Sequence, residues 1–541
     1  MRNYLSKLTM LAVLGMSVSA HAQFARNNVR LLKQITLAQF PIPAGSGSGC
    51  VGYVSPSGKE YAIIGLSNGN AVVNITNPLV PVIVGHIPGV ASQWHEVCVL
   101  GNYAYGTTEG GGGVQVIDLS QVDSGIVTLV NTITVGGLSK GHTIQAMPDS
   151  NVIIVNGGDV NGLRAYDVTN PLAPVAVGSW SGHYVHDSLI KKYTSGPYAG
   201  KEICFAFCGN GATGGLYIID MTTTVNGSGH HVPAFTNLGY IRYLPNPPGG
   251  PNLDNRFYCH SGALSADNRY IYLNDEFDEL NGSFTGSTDA TTHIIDVQTL
   301  ASPTYMGKFT NPISAIDHNS IIQDGFLVLA AYKQGIRIYD TSNPVQLKES
   351  GYFDTHSGTG FQFAGAWGTW AGFPSGNAII SDMQEGLIIV DPSEAKGWGA
   401  PILSVSLAGT GGVADAAKKL KKADGSVVPM SFPSMRGSMT VNLQTDSLNK
   451  SLVDFTFRAR STSPTPEIVS LYAVNQVTGA EVLLSKWNVP TGLTEKSFTN
   501  LSGPTYIKAD STMTLRVIIN TSRRSGAVNL EFDQVKAFVH N

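Results

Sequence analysis

The sequence carries little charge of either sign. Only 13% of its 541 residues are charged, and 34 Lys and Arg stand against 38 Asp and Glu, for a formal net charge of -4. A nucleic-acid-binding surface calls for a strongly basic patch. This balance therefore argues against a nucleic-acid partner.

Long apolar runs are also scarce. After residue 22, no run approaches the roughly 20 apolar residues that span a bilayer, so we expect no membrane span. Residues 1–22 fit a secretory signal, because Arg2 and Lys7 flank the start, residues 8–18 are apolar, and Ala20-His21-Ala22 is an A-x-A cleavage site. We expect cleavage after Ala22 and a secreted or periplasmic mature chain.

The motifs of several enzyme classes are missing. The sequence has no G-x-S-x-G nucleophile elbow, no P-loop, no dinucleotide fingerprint and no H-E-x-x-H. It has only five cysteines, an odd number that leaves at least one unpaired within the chain. These absences favour a binding or scaffold role over catalysis by a motif-defined nucleophile.

What the sequence does have is a repeat. A six-residue phrase, a small residue followed by an apolar run and Asp or Asn, recurs at intervals of 44 to 76 residues, which is the spacing of propeller blades. Its seven copies are Gly69 to Asn74, Gly113 to Asp118, Gly162 to Asp167, Gly215 to Asp220, Thr291 to Asp296, Gly335 to Asp340 and Gly386 to Asp391. Further β-rich runs around the copies, and Asn-Pro turns after three of them at Asn77-Pro78, Asn170-Pro171 and Asn343-Pro344, predict four antiparallel strands per unit.

The sequence therefore predicts an all-β fold with a seven-bladed β-propeller over residues 23–395. The last unit lacks a fourth strand, and the run from Val29 to Phe40 is available to supply it, because an unpaired sheet edge invites aggregation. Residues 396–429 are interpreted as a linker. Residues 430–541 lack the repeat and are predicted to form a β-sandwich. Its predicted strands are Ser438 to Leu443, Ser451 to Ala459, Glu467 to Asn475, Glu481 to Trp487, Thr505 to Lys508, Met513 to Asn520 and Val528 to Phe538.

Four phrases outside the repeat resemble the choice-of-anchor B family of exported LVIVD-repeat propeller proteins. They are Ser92-Gln93-Trp94 before Asn102 to Tyr105, Val185-His186-Asp187 before Gly200 to Cys204, Asn274 to Leu280, and Ile316 to Asn319 with Gly351 to Thr355. The resemblance covers roughly residues 45 to 395 and implies export and a propeller, but no established reaction. The final strand of the sandwich resembles galactose-binding-type carbohydrate-binding modules, which implies attachment to extracellular glycan or a cell-surface protein.

A candidate site follows from aligning the first strands of the units. The alignment places five histidines at one equivalent position and six carboxylates at the returning ends of the second strands, so both sets should meet at one mouth of the channel. The histidines are His95, His142, His186, His260 and His318, with Cys50 and about Ala366 in the other units; the carboxylates are Glu109, Asp159, Asp275, Glu276, Asp382 and Glu385.

Imidazole nitrogens facing carboxylates suit Zn, Mn or Fe, whereas carboxylates alone would favour Ca. We take His142, His186, His260 and His318 as metal-ligand candidates, and His95, Glu109, Glu276, Asp382 and Glu385 as ligand-binding candidates. A metal-free structural role for the repeated histidines stays open, and the acidic run 275–279 is either a solvated loop or a Ca site.

Two functions remain. The first is an exported binding or scaffold protein, with the propeller face recognising an unknown ligand and the sandwich attaching to a surface. The alternative is a metal-dependent hydrolase or lyase acting on an extracellular polymer or lactone, with Asp187, Asp275 or Asp317 as general base and metal-bound water as nucleophile.

Overall fold

A computed structural model describes residues 24–159, 161–209, 213–243, 256–281, 288–408, 416–421, 427–432, 436–446, 450–463, 467–520 and 528–540. Over these residues the protein is all-β, and four-stranded antiparallel sheets recur along the chain, which confirms that part of the prediction. The predicted signal, residues 1–22, lies outside the described residues. No helix among those described is long and apolar enough to cross a membrane.

Seven sheets contain the repeated phrase, and we number them as repeat sheets 1 to 7 in chain order. The strands of sheets 1 to 4 are Gly47–Val54, Glu60–Leu66, Gly69–Asn74 and Val82–Pro88; His95–Leu100, Tyr103–Thr108, Val114–Asp118 and Thr128–Ile133; Thr143–Met147, Val152–Asn156, Leu163–Asp167 and Val175–Trp180; and Asp187–Lys192, Glu202–Cys208, Gly215–Asp220 and Thr236–Ile241. A hairpin of Thr223–Val225 and His231–Pro233 is inserted in sheet 4.

The remaining repeat sheets follow the same order of strands. The strands of sheets 5 to 7 are Cys259–Leu264, Tyr270–Asp275, Thr291–Asp296 and Thr304–Thr310; Ser320–Gln323, Phe326–Ala330, Ile336–Asp340, Lys348–Phe353 and the amino-terminal Arg26–Asn27; and Ala366–Trp370, Ala378–Asp382, Gly386–Asp391 and the amino-terminal Arg30–Ile35. Short 3-10 helices occupy Leu37–Gln39, Val122–Ser124, Val135–Gly137 and Pro148–Ser150.

The two ends of the repeated phrase have structural causes. In all seven copies the final Asp or Asn accepts a hydrogen bond from the backbone N–H two residues later, which starts the turn to the fourth strand. In six copies the first residue is a glycine with positive φ, and a Cβ there would strike a carbonyl oxygen of the fourth strand. At Gly386 that oxygen belongs to Ile35, so the amino-terminal strand takes the fourth-strand place.

The core is divided among the interfaces between neighbouring repeat sheets. One apolar cluster lies between each consecutive pair of sheets, and another lies between sheet 7 and sheet 1, where Ile389 and Ile64 share a cluster. The first strands of consecutive sheets also contact one another, and Ala366–Trp370 of sheet 7 contacts Gly47–Val54 of sheet 1. These contacts form a closed cycle around the seven first strands.

The strand Arg30–Ile35 completes sheet 7 as expected from the unassigned run at residues 29–40. It pairs antiparallel with Gly386–Asp391. Gln34 also donates a side-chain hydrogen bond to Glu385 Oε2 over 2.7 Å. The pairing of Arg26–Asn27 with Lys348–Phe353 was not expected, and it ties the amino terminus to sheet 6 as well.

The carboxy-terminal part forms two antiparallel sheets that share one apolar core. In spatial order, C-terminal sheet A contains Ile402–Ala408, Arg436–Gln444, Thr512–Asn520, Glu467–Val474 and Glu481–Val489, and C-terminal sheet B contains Val428–Phe432, Val528–His540, Leu452–Ser461 and Thr494–Ser502. Phe455 and Phe457 of sheet B meet Leu471 and Leu515 of sheet A in that core.

This arrangement corrects three expectations. The segment 396–429, interpreted as a linker, contains the strand Ile402–Ala408 and a short helix, Ala416–Lys419. Thr494–Ser502 is a strand that the sequence analysis missed, because it lies at the edge of sheet B and is mostly polar and exposed. Residues Gly503–Tyr506 form a helical turn with Pro504 as its second residue, where a strand was predicted from Thr505.

Charged groups join the last repeat sheets to the carboxy-terminal sheets. Lys421 Nζ lies 2.7 Å from Asp391 Oδ1, the final residue of the last repeat. Arg26 Nη2 lies 2.9 Å from Asp446 Oδ1. The backbone N–H of Asp446 donates to Glu394 over 2.7 Å. The amino-terminal segment, repeat sheet 7 and the carboxy-terminal sheets therefore support one another.

Closure by the amino-terminal strand leads to a stability prediction. Ile35→Ala should lower the free energy of unfolding by about 2–4 kcal/mol, because Ile35 is buried in the cluster between sheets 7 and 1. Lys33→Ala, in the same strand but exposed, should change it by less than about 0.5 kcal/mol. Urea unfolding of both variants measures the difference, and equal effects would contradict closure through this strand.

Candidate functional site

Four histidines stand at the starts of the first strands of repeat sheets 3 to 6. The N–H of His142 donates to the carbonyl of Asn156, and the following residue, Thr143, is paired with the same Asn156. In sheet 4, His186 and the residue after it likewise both oppose Phe207. His142 and His186 thus each lie one residue before the first pair of their strand, and in sheet 5 the register shifts between Cys259 and Ser261, which is a bulge that contains His260.

The imidazoles of these histidines form a row. Ring centroids are 4.2 Å apart for His142 and His186, 4.0 Å for His186 and His260, and 4.3 Å for His260 and His318. All four side chains are buried. The sequence analysis predicted that these four residues meet, and the structure brings them together.

Hydrogen bonds order the first half of the row. His186 Nδ1 lies 3.0 Å from the carbonyl oxygen of His260, so this nitrogen carries the proton and donates. A neutral His186 then accepts at Nε2 from His142 Nε2 over 2.7 Å. His142 Nδ1 lies 2.6 Å from Glu109 Oε1, and these two atoms share one further proton. Both nitrogens of His142 and His186 are thus engaged.

The second half of the row is different, because it leaves ring nitrogens facing a carboxylate. His318 Nδ1 donates to the carbonyl of Trp367 over 2.5 Å, which leaves the Nε2 lone pair available. His318 Nε2 and His260 Nε2 lie 3.6 and 3.8 Å from the same atom, Glu276 Oε1. The hydroxyl of Tyr332 donates to that oxygen over 2.7 Å. Two imidazoles and one carboxylate therefore converge.

Burial dominates the electrostatics of this group. It lowers the pKa of His318 to about 3, and burial together with the neighbouring imidazoles lowers the pKa values of His186 and His260 well below the ordinary range. Burial raises the pKa of Glu276 to about 7. The opposite holds at Glu109, whose pKa is lowered by its hydrogen bond to His142. The imidazoles of His186, His260 and His318 are neutral, as metal ligands must be.

The row borders a cavity of about 170 Å³ inside the ring of first strands. All four imidazoles line it, together with the carboxyl groups of Asp187 and Glu96 and the indole rings of Trp367 and Trp370. Glu276 does not line it, because it reaches His260 and His318 from the end of a second strand. The cavity has room for a small molecule only.

Two acidic side chains give the cavity its polar character. Burial raises the pKa of Glu96 to about 8, and Trp367 Nε1 donates to its carboxyl group over 2.7 Å. Burial also raises the pKa of Asp187, which accepts hydrogen bonds from Gln145 Nε2 and from the N–H of Ser188. At neutral pH Glu96 is a neutral acid that can donate a hydrogen bond.

His95 is not part of the row, contrary to the sequence alignment. Its Nε2 lies 3.0 Å from the carbonyl oxygen of Val90, and it does not line the cavity. The reason is strand register: His95 is itself the first paired residue of its strand, opposite Thr108, whereas His142 and His186 each precede the first pair of theirs. Normal alternation then directs Glu96, the next residue, into the cavity.

Two other ligand-binding candidates lie apart from the cavity. Glu385 accepts a hydrogen bond from Gln34 of the closing strand. Asp382 is buried and accepts from the N–H groups of Gln384 and Glu385, which fixes the turn after its strand. The geometry gives both residues a part in the closure of sheet 7.

Of the three general-base candidates, only Asp187 reaches the cavity. Asp275 and Asp317 are fully buried elsewhere, and neither lines it. Asp275 accepts hydrogen bonds from the hydroxyl of Tyr243 and from the N–H of Tyr258. Asp317 belongs to a cluster with Asp278 and Glu279, described below.

The sequence reasoning missed Glu96 and Tyr332 as members of the site. Glu96 follows His95, the histidine that was chosen in its place. An alignment shifted by one residue, with Glu96 at the equivalent position, would have identified it. Tyr332 follows the second strand of sheet 6, where the other units carry the acidic residues that were considered. The sequence signal that could have identified Tyr332 was a polar side chain at the end of the second strand.

Comparisons with known proteins give similarity in fold only. No protein-family model and no curated protein sequence matches the chain. Among solved structures, Sqt1 of Saccharomyces cerevisiae is 10% identical with a TM-score of 0.43, covering 67% of this chain and 98% of its own. A putative 6-phosphogluconolactonase from Bacteroides uniformis is 13% identical with a TM-score of 0.40, and the match covers 56% of this chain and 83% of that protein. A protein from Lactobacillus plantarum is 10% identical with a TM-score of 0.41, and the match covers 83% of this chain and 98% of that protein. At TM-scores below 0.5 these similarities say nothing about the activity of this chain.

The buried position of His95 leads to a pH prediction. Burial lowers its folded-state pKa to about 4, against about 6.5 in the unfolded chain. Between these values the unfolded chain binds more protons, so His95 makes stability fall as pH falls from about 6.5 to 4. Relative to wild type, His95→Gln should gain up to about 3 kcal/mol over that window.

Unfolding in urea at a series of pH values measures this gain. His356→Gln is the matched control, because its side chain is only half-buried and lies outside the row and the cavity. A constant difference between His95→Gln and wild type across the window would contradict the burial of His95 as a neutral group.

Proposed function

We propose that the repeat sheets form a seven-bladed β-propeller over residues 23–395 and that the carboxy-terminal strands, from Ile402–Ala408 to Val528–His540, form a β-sandwich joined to it. Support for the propeller comes from the closed cycle of contacts between the first strands and from the one apolar cluster at each interface between sheets. Support for the sandwich comes from the core shared by the two carboxy-terminal sheets.

We further propose that the chain is an exported protein of the choice-of-anchor B type. The signal-like residues 1–22 and the four phrases that resemble this family support the proposal. In this view the carboxy-terminal sandwich attaches the protein to extracellular glycan or a cell-surface protein, while the propeller channel provides the ligand-binding site.

The proposed function is binding of a small ligand at a channel that holds one transition-metal ion. The single observation that carries it is the convergence of His260 Nε2 and His318 Nε2 on Glu276 Oε1, with these ligand atoms all within 4.8 Å of one another. Two imidazoles and one carboxylate are a ligand set used by Zn and by non-haem Fe, and they leave coordination positions open.

The surroundings suit such an ion. Trp367 fixes the tautomer of His318 through its carbonyl, as outer-shell partners of metal-ligating histidines commonly do. The imidazoles of His260 and His318 also line the cavity, so an ion bound to them lies beside it. There the neutral acid Glu96 can donate to a ligand oxygen, and Asp187 can accept from a hydroxyl group.

Elemental analysis of the purified protein tests this proposal. We expect about one Zn, Mn or Fe ion per chain, lost in His260→Ala plus His318→Ala because the remaining carboxylate cannot hold the ion alone. His95→Gln should retain the ion, since His95 faces Val90 instead. A folded wild-type protein that takes up none of these ions from metal-supplemented buffer would exclude the metal channel.

A second function, metal-dependent hydrolysis of a lactone or an extracellular polymer, is favoured by one observation. Asp187 is an acceptor on the wall of the same cavity as His260 and His318. It is therefore placed to take a proton from a metal-bound water. Of the three general-base candidates, it alone lines the cavity.

Turnover assays separate this second function from binding alone. If the protein is a hydrolase, Asp187→Asn should lower kcat by about 10²–10⁴-fold on a lactone or polysaccharide panel while the metal content stays at the wild-type value. Asp149→Asn, at an exposed ion pair with Lys192, should leave kcat unchanged. Wild-type protein that holds the metal but turns over no member of the panel supports the binding function.

A further inference from the structure

A second cluster of acidic side chains lies away from the channel cavity. Asp278 and Glu279 are in the loop after the second strand of repeat sheet 5, and Asp317 precedes the first strand of sheet 6. Their exposed fractions are 1%, 1% and 0%, and each offers an oxygen within 4.8 Å of the others. Three carboxyl groups thus share one enclosed space between two sheets.

Groups around the cluster donate to one oxygen of Asp317 and to one oxygen of Glu279. Asp317 Oδ2 accepts from Asn274 Nδ2 over 2.6 Å, and Glu279 Oε1 accepts from the N–H of Thr291 over 2.8 Å. The other oxygens of these two side chains, Asp317 Oδ1 and Glu279 Oε2, are buried and have no hydrogen-bond partner. A buried carboxylate oxygen without a partner is costly, so these oxygens point to a missing ligand.

The chemistry of the oxygens selects a hard cation. They come from carboxyl groups alone, and Ca²⁺ takes six to eight oxygen ligands at about 2.3–2.6 Å. Two oxygens bound to one such ion can be at most about 5.2 Å apart, and the oxygens of the cluster lie within 4.8 Å of one another. Ca²⁺ also tolerates irregular geometry, whereas Mg²⁺ demands a near-ideal octahedron.

We propose that Asp278, Glu279 and Asp317 bind one Ca²⁺ ion that fastens the loop of sheet 5 to sheet 6. The unpartnered oxygens Asp317 Oδ1 and Glu279 Oε2 are ligands in this site, while Asn274 and Thr291 hold the other oxygen of each side chain in place. His293 Nε2, 3.0 Å from Asp278 Oδ2, orients the third carboxylate.

The same loop carries Glu276 to the channel histidines His260 and His318. Asp275 fixes its start by accepting from the N–H groups of Phe277 and Asp278. Glu276 lies between these turns, and its oxygen faces His260 and His318. The Ca²⁺ ion therefore holds the backbone that presents the carboxylate of the channel site, although Ca²⁺ binding itself does not depend on a metal in the channel.

Calorimetry and melting of the EDTA-treated full-length protein test the site. We expect one Ca²⁺ bound per chain and a melting temperature that rises with CaCl₂ concentration, since an ion that binds only the folded state stabilises it by mass action. MgCl₂ at the same concentration should give a smaller rise. An unchanged melting temperature in CaCl₂, or an equal rise in MgCl₂, would overturn the assignment to Ca²⁺.

Isosteric variants locate the ion. Asp317→Asn and Glu279→Gln each remove one charge and should weaken Ca²⁺ binding at least about tenfold. Glu276→Gln is the matched control from the same loop, and it should bind Ca²⁺ as wild type does while losing the channel metal. Wild-type Ca²⁺ affinity in both Asp317→Asn and Glu279→Gln would overturn the proposal.

A second measurement covers variants that fold poorly. Tb³⁺ added to the wild-type protein should luminesce on excitation of tyrosine, because the Tyr243 hydroxyl contacts Asp275 at the start of the loop. CaCl₂ in large excess should lower this emission by displacement, because Tb³⁺, with its higher charge, binds carboxylates more tightly than Ca²⁺ does. Emission that is absent, or that CaCl₂ leaves unchanged, contradicts a Ca²⁺ site at this loop.

Discussion

Antiparallel pairing of Arg30–Ile35 with Gly386–Asp391 is the contact on which the geometry of the site depends. Without it, sheet 7 would have three strands and an open edge, and the apolar cluster between sheets 7 and 1 would lose Ile35. The histidine row and the cavity are made by first strands from many sheets, so they exist only while those sheets stay in a cycle. Glu385 accepts a hydrogen bond from Gln34 across this closure, and Asp382 fixes the turn that precedes Gly386.

The repeat could be predicted because each of its features has a local cause. The terminal Asp or Asn begins a turn, and the leading Gly keeps a Cβ away from the neighbouring carbonyl, so both leave a mark in the sequence. The four-stranded units and the meeting of His142, His186, His260 and His318 followed from that regular spacing. Periodicity carries less information about the carboxy-terminal sheets, where the polar edge strand Thr494–Ser502 was missed.

The site residues that could not be predicted depend on strand register and on contacts between sheets. His95 is the first paired residue of its strand, whereas His142 and His186 each precede the first pair of theirs, so Glu96 faces the cavity in place of His95. From the sequence alone, the acidic run 275–279 fits a solvated loop and a cation site equally well. The structure adds the contact with Asp317 of the next sheet, which the sequence does not show. Three consecutive side chains there have separate surroundings: Asp275 holds the turn, Glu276 faces the channel, and Phe277 contacts Tyr258.

The closing strand also sets the order in which the chain can fold. Gln34 and Glu385, which hydrogen bond across the closure, are 351 residues apart in sequence. Contacts between such distant segments form late, because the entropy of closing the loop opposes them until the intervening sheets exist. During synthesis the amino-terminal strand must therefore wait unpaired until the last repeat has emerged. The chain cannot complete its ring, or assemble its channel, while its last repeat is still being synthesised.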